Sequence, residues 1–314
     1  MNGENNDKVT EQGNDAKVPE RLYKYFGPER CEVLDNWLVR FTQAGALNDP
    51  FELKPHIASY GTSEELREVA ERKWEEHAKE RYEELAAKYT NPMPFSEFRR
   101  LIEKDRSSMI EEALARDMTP VIEEMAAKIS SMINESIGIL SLCEHPDDLL
   151  MWAHYAAGHA GFVLEFDTKS AFFNQKNPPG WANANNEDTK VFSKEYGWIR
   201  KVCYSVERPS VVVTKLDFGT LLRKGKPWAY ECEFRMLMPL EYGLQCALER
   251  TNNYPVCLFP IPPSAVTRII LGCNSEAELL EKATRLKTAG ETRHIAVEKA
   301  RIDTEGFRLH FDPL

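Results

Sequence analysis

Thr62 to Ser136 is a helical block inside a chain that otherwise reads as strands, and that interruption constrains the fold more than any other feature. Thr62 and Glu65 match a capping box, in which side chain and backbone satisfy each other's hydrogen bonds at a helix start. Leu66, Ala70, Trp74, Ala78, Tyr82, Leu85 and Tyr89 then recur every three or four residues, so they share one helix face. Glu75 and Lys79, and Glu84 and Lys88, lie four apart on the solvated side. Asn91-Pro92-Met93-Pro94 ends that helix. Phe95 to Arg106 predicts a second helix, and Ser107 to Ser136 predicts two more. Thr119 caps the last, Pro120 takes its first position, and Ile122, Met125, Ile129 and Met132 form its apolar stripe. Such stripes pack against a core or a partner and carry no chemistry themselves.

On both sides of the block the period shortens to that of strands. Leu22 to Phe26, Trp37 to Phe41, Ile137 to Leu142 and Gly161 to Phe166 are strand candidates, as are Lys201 to Tyr204, Ser210 to Thr214, Glu231 to Met238 and Arg268 to Gly272. His294 to Val297 and Phe307 to Phe311 finish the series. Short helices are expected over Pro28–Asp35, His145–Ala156 and Asp217–Lys224, and an amphipathic one over Ser275–Lys287 with Asn274 or Ser275 as its cap. Asn48-Asp49-Pro50 is turn chemistry, and Thr168 to Lys194 reads as a long polar loop. The order predicts an α+β fold: a strand-rich mixed or antiparallel core over 21–314, with a helical insertion at about 62–136. Residues 1–20 are polar and nearly free of large apolar side chains, so a disordered arm is expected there.

Composition narrows the function classes. A hydrophobic fraction of 42% can build a real core, and a net charge of −10 argues against a broad nucleic-acid surface. No apolar run reaches the length of a membrane span, and the polar N-terminus lacks the apolar stretch of a signal peptide. The seven cysteines are odd in number and form no CxxC pair. That pattern suits reduced, buried thiols in a cytoplasmic protein better than a disulfide framework or a zinc site.

The segment Glu231-Cys232-Glu233-Phe234-Arg235 reads as a strand, which would put Glu231 and Glu233 on one face. Two like charges side by side repel, so the pattern asks for a cation, a solvent cleft or a reaction. The plainer alternative is an exposed edge strand on which Arg235 quiets both glutamates. Trp152 and Tyr155 share a helix face, either as core packing or as a cover for a flat heterocycle. His154 and His159 lie five apart and do not share a helix face, which argues against a metal pair. Asn48 and Asp49 serve the turn or a site, and Gly161 marks a tight entry into its strand.

Four segments together resemble a bacterial family known as domain of unknown function 2971. They are Leu22-Tyr23-Lys24-Tyr25; Asn48-Asp49-Pro50-Phe51-Glu52; Leu150 to Tyr155 with His159, Gly161 and the strand to Asp167; and Lys224, Trp228, Tyr230, Glu231, Glu233 and Arg235. A weaker resemblance links the order of Tyr23-Lys24 on a first strand and a late Glu-x-Glu to the ADP-ribosyltransferase superfamily, with Lys24 where His or Arg is common. This weaker resemblance implies a split sheet and NAD as cofactor. It implies that Lys24 holds the nicotinamide ribose side, that Glu233 is the catalytic carboxylate, and that Glu231 orients the acceptor. Tyr25, Asn48, Asp49, His154, Tyr155 and Arg235 complete the candidate cofactor-binding set.

The chemistry is coherent. Breaking the nicotinamide–ribose bond builds positive charge on the sugar, which a fixed carboxylate stabilises. Another carboxylate can act as base for the acceptor, and Lys24 and Arg235 can meet a pyrophosphate. Three readings stand at this point. One is an NAD-using transferase or hydrolase acting on a protein, nucleic-acid or small-molecule acceptor; toxins and effectors directed against phage use such chemistry. Another is a non-catalytic module whose helical insertion docks a protein partner. The last is a metal-dependent hydrolase using Asp49, Glu52, Glu231 and Glu233.

Overall fold

A computed structural model describes residues 17–52, 54, 56–175, 196–216, 218–251, 254–288 and 290–314. The chain order begins β1 (Arg21–Phe26), α1 (Val33–Asn36), β2 (Leu38–Arg40) and β3 (His56–Ser59). Five helices follow: α2 (Ser63–Arg72), α3 (Trp74–Ala86), α4 (Phe95–Ile102), α5 (Arg106–Leu114) and α6 (Thr119–Ser136). Next come β4 (Ile137–Cys143), α7 (Leu149–Tyr155), β5 (Phe162–Asp167), β6 (Ile199–Lys201), β7 (Cys203–Ser205), β8 (Ser210–Val212) and β9 (Arg223–Gly225). The chain closes with β10 (Glu233–Pro239), β11 (Leu244–Thr251), β12 (Tyr254–Pro260), β13 (Val266–Leu271), α8 (Ala277–Leu286), β14 (Ala296–Ile302) and β15 (Leu309–Pro313). The fold is mixed α+β, with two compact units. One comprises residues up to 54, 130–208 and 218–314; the other comprises 55–129 and 209–217.

The first unit carries an eight-stranded sheet in the order β15-β14-β13-β5-β1-β4-β10-β6. All its pairs are antiparallel except β13 with β14. Side chains alternate across the sheet as the pleat requires. Leu22, Phe26, Leu140, Leu142, Phe234 and Met236 enter the main core, where they meet Leu34, Phe41 and Leu279. Tyr23, Tyr25, Cys143 and Val163 enter a smaller core on α7. Trp152 of α7 is fully buried there, donates its indole N–H to Pro146 O at 2.8 Å and meets Tyr25 edge-on. It is a packing residue, not a ligand cover. A three-stranded sheet, β11-β12-β2, also belongs to this unit.

One irregularity in the large sheet positions the candidate site. β1 pairs with β5 through all six of its residues, and β4 pairs with β10 over seven. Between β1 and β4 the ladder is a single pair, Tyr23 with Cys143. Beyond it the two strands part.

The second unit holds helices α2 to α5, the first part of α6 and the short parallel pair of β3 with β8. The capping box is formed: Glu65 N donates to Thr62 Oγ1, and Thr62 N donates to the Glu65 carboxylate. The one helix expected from Thr62 is two, broken at Lys73. The break lets Trp74 turn inward, where it donates to Glu103 Oε2 and lies under the Arg106 guanidinium.

Several expectations are corrected. The unit boundary falls near residue 55 and takes in β8, which sequence spacing does not reveal. The helical stretch expected over 217–224 is a 3-10 helix, Phe218–Leu222, and β9 follows it at Arg223. The helix near Ser275 starts at Ala277 after Glu276, which makes no side-chain cap bond. β3, β11 and β12 have no counterpart among the expected strands; β12 carries Pro255 and Pro260, which weaken a strand signal. The arm expected over 1–20 lies outside the described residues up to 16, but Pro19 and Glu20 already hold Thr168 by their carbonyls. Of the expected loop, 176–194 lies outside the described residues, while Ala171–Phe173 is a short helix that buries Phe172 and Phe173.

Candidate functional site

Glu231 and Glu233 do not share a strand. Lys226–Glu231 is a 3-10 helix opened by Pro227 and closed by Cys232, which sits in the left-handed region at φ 44°. β10 starts only at Glu233. The predicted strand face is therefore replaced by a turn, and the two carboxylates meet because a cation gathers them. Lys224 Nζ of β9 lies 2.5 Å from Glu231 Oε2, 3.3 Å from Glu233 Oε2 and 3.7 Å from Glu52 Oε2. Arg235 donates twice to Glu233, at 2.7 and 2.9 Å, and once to Leu221 O at 2.8 Å; it also pairs with Glu52. All five side chains are buried. Buried charges are tolerable only when paired, and here each has a partner of opposite sign.

The electrostatics follow from burial. Burial pushes the Glu233 carboxyl above its ordinary value, against the pull of Lys224. Burial also works against the Lys224 ammonium, but Glu233 and Glu231 outweigh it and raise Lys224. Tyr155 is raised by burial and by the Glu231 carboxylate its hydroxyl bonds, so it is a proton donor rather than a base.

A cavity of about 280 Å³ lies in the first unit, lined on both sides of the opening between β1 and β4. Lys24 and Tyr25 come from β1, Ser141 and Cys143 from β4, and Arg40 from β2. Lys24 Nζ donates to Ser141 O at 3.2 Å, so a side chain bonds a carbonyl where the ladder has stopped. Tyr155 enters from α7, donates to Glu231 Oε1 at 2.6 Å and accepts from Asn48 Nδ2 at 2.9 Å. α7 holds this position because Asp148 caps it, Oδ1 accepting from Met151 N. Lys224, Glu231 and Glu233 also line it.

The structure thus brings Lys24, Tyr25, Asn48, Tyr155, Glu231 and Glu233 to one cavity. Three other candidates stand outside its lining. Asp49 serves its turn by accepting from Phe51 N. His154 Nδ1 meets the Tyr230 hydroxyl at 3.0 Å. Arg235 is fully buried behind the carboxylates, which assigns it the ion-pair role and leaves no surface for pyrophosphate. Arg40 is not among the expected ligand contacts, and nothing in local spacing marks it; Glu52, expected only as a ligand in the metal-hydrolase reading, lines the cavity and pairs with Lys224 and Arg235 instead. Lys224, seven residues before Glu231, is visible in the sequence only through the family resemblance.

Residues 151–236 match the family model described as protein of unknown function (DUF2971). The span runs from α7 into β10 and includes Tyr155, Lys224, Glu231, Glu233 and Arg235. The matched part therefore supplies Tyr155, Lys224, Glu231 and Glu233 to the cavity lining, while Lys24, Arg40 and Asn48 lie before it. No curated protein and no solved structure matches the chain. Among the described residues no group of His, Cys, Asp and Glu is arranged to hold a metal ion, and no helix is long and apolar enough to cross a membrane. Between the carboxylates stand Lys224 and Arg235, so cations of the chain itself occupy that ground.

Proposed function

We propose that this protein is an NAD-using enzyme that cleaves the nicotinamide–ribose bond in the cavity between β1 and β4, with Glu231 and Glu233 as its carboxylate pair. The observation that supports it is convergence: Lys24 from the first strand, Tyr155 from α7 and two glutamates from a late turn line one cavity. An opening between β1 and β4 is also what the ADP-ribosyltransferase resemblance implies. The two carboxylates differ in task. Glu233 has both oxygens engaged by Arg235 and one also by Lys224, so it fixes charge. Glu231 is held by single bonds from Lys224 and Tyr155, and each of its oxygens keeps acceptor capacity for a ribose hydroxyl. As the bond breaks, its electron pair leaves with nicotinamide, and the sugar's positive charge faces Glu231. The cavity's size is at the low end for ligand sites, which suits the nicotinamide ribose with the remainder of the cofactor outside.

Incubation with NAD and measurement of nicotinamide release tests this, with water, protein, nucleic acid and small nucleophiles offered as acceptors. Glu231→Gln and Glu233→Gln should each lower release by roughly 10²-fold or more, the scale of losing one transition-state electrostatic contact. Background release by wild type with every acceptor would end the proposal. The alternative of a docking module draws on the second unit, where Tyr89, Leu101 and Val121 are exposed. It predicts that background result.

A further inference from the structure

Two lysines line the cavity, and their surroundings differ. Lys224 stands among Glu52, Glu231 and Glu233, and the charges of Glu231 and Glu233 hold it as an ammonium. Lys24 has no such company. Its Nζ bonds a neutral carbonyl, Ser141 O, at 3.2 Å, and among the described residues no carboxylate lies within ion-pair distance of it. The Phe26 ring, with its centroid 5.8 Å from Nζ, is a weak substitute for an anion. Burial is the largest influence on this amine and lowers it to about 8. Glu233 and Cys143 pull toward the charged form, Arg30 and Arg40 push away from it, and burial outweighs the pull. An uncharged amine keeps an N–H for Ser141 O and still presents a lone pair. A desolvated lysine amine in a pocket is a nucleophile for carbonyl groups. Glu231 lines the same cavity with acceptor capacity left over, which suits a hydroxyl carried beside that carbonyl.

We propose that Lys24 captures a small hydroxyaldehyde or hydroxyketone in this cavity as an imine. Nζ attacks the carbonyl carbon, and a C–N bond forms as the C=O π pair moves to oxygen. Both amine hydrogens then leave with that oxygen as water, and a C=N bond remains. The balance needs no oxidant or reductant. A cavity of about 280 Å³ admits a compound of a few carbon atoms. Capture by Lys24 requires no NAD, so it stands apart from the glycosyl-transfer reading.

Glycolaldehyde and cyanoborohydride, added to the folded full chain, test it: the reductant converts the imine to a stable amine, which peptide mass spectrometry locates. At pH 7 an amine at about 8 has a free fraction about 300-fold that of an ordinary lysine, and its lower basicity takes part of that back. Lys24 should therefore be labelled at least about 10-fold faster than exposed lysines such as Lys128. Its rate should saturate with glycolaldehyde and level off with pH around 8, while exposed lysines accelerate further. With acetaldehyde, which lacks the hydroxyl, the preference for Lys24 over Lys128 should fall. Unlabelled Lys24, labelling no faster than that of Lys128, a rate linear in glycolaldehyde, or an equal preference with acetaldehyde would overturn the proposal. Wild type alone decides, so no variant has to fold. Failures are separable: Lys24 labelling without nicotinamide release sinks the enzyme reading and keeps the amine. Nicotinamide release with Lys24 unlabelled does the reverse.

Discussion

Lys224 faces three buried carboxylates, and Arg235 shares two of them. Such a cluster is worth little against an apolar core of equal volume, but removing one cation strands its partners in a low dielectric. Lys224→Met should therefore cost about 3–5 kcal/mol, read from chemical denaturation midpoints. A loss under about 1 kcal/mol would mean that water reaches the carboxylates. Lys24 behaves differently with pH. Burial lowers its ammonium from 10.5 to about 8, so the folded chain releases that proton before the unfolded chain does. Between about pH 8 and 10.5 the unfolded state holds more protons at this site, and stability contributed by Lys24 rises with pH. Wild type compared with Lys24→Met should show that rise only in wild type, as a difference in denaturation midpoint across this window. Parallel pH curves would place Lys24 in water.

At the level of elements, α7 delivers Tyr155 and is held at both ends. Asp148 caps its start, and after Tyr155 the chain turns through Ala157, Gly158 and His159 in the left-handed region. Gly161 then enters β5 so close to β1 that a Cβ would collide with Phe26 O. Gly161→Ala must push β5 away from the strand carrying Lys24. We expect a loss of at least about 2 kcal/mol, in the range of severe overpacking, together with weakened ligand binding. Asp148→Ala should cost about 1 kcal/mol, the value of a helix cap, and leave the rest of the sheet intact by amide exchange. The capping box at Thr62 and the cap at Asp148 differ in legibility. The box is a local pattern readable from four residues. Asp147 and Asp148 are adjacent and equally plausible as caps, and only the backbone fixes Asp148 as the one that bonds Met151 N.

For the whole molecule, the two units differ in how much apolar surface they bury. The first has a continuous core beneath an eight-stranded sheet. In the second, the buried apolar residues described are Ile57, Trp74, Ala78, Ile110 and Val211, and α2 and α4 bury none. Opening free energies follow buried contact, so the amides of α2 to α5 should exchange well before those of β1, β4, β5 and β10. Equal protection in both would show that the chain unfolds as one cooperative body.

The sequence by itself determined what short-range periodicity and caps encode: strands β1, β4, β5 and β13, the helical insertion, the Thr62 box and the α+β class. These depend on which face of one element is apolar, and neighbouring residues carry that information. Tertiary structure alone decided the site. Glu231 and Glu233 converge through a left-handed residue and the Lys224 ammonium, and Arg235 retreats behind them. Arg40 arrives on β2, whose sheet is completed by a proline-bearing strand that local signals conceal. Charge pairing at a few ångströms depends on positions in space, and no spacing along the chain specifies which cation will stand between which carboxylates.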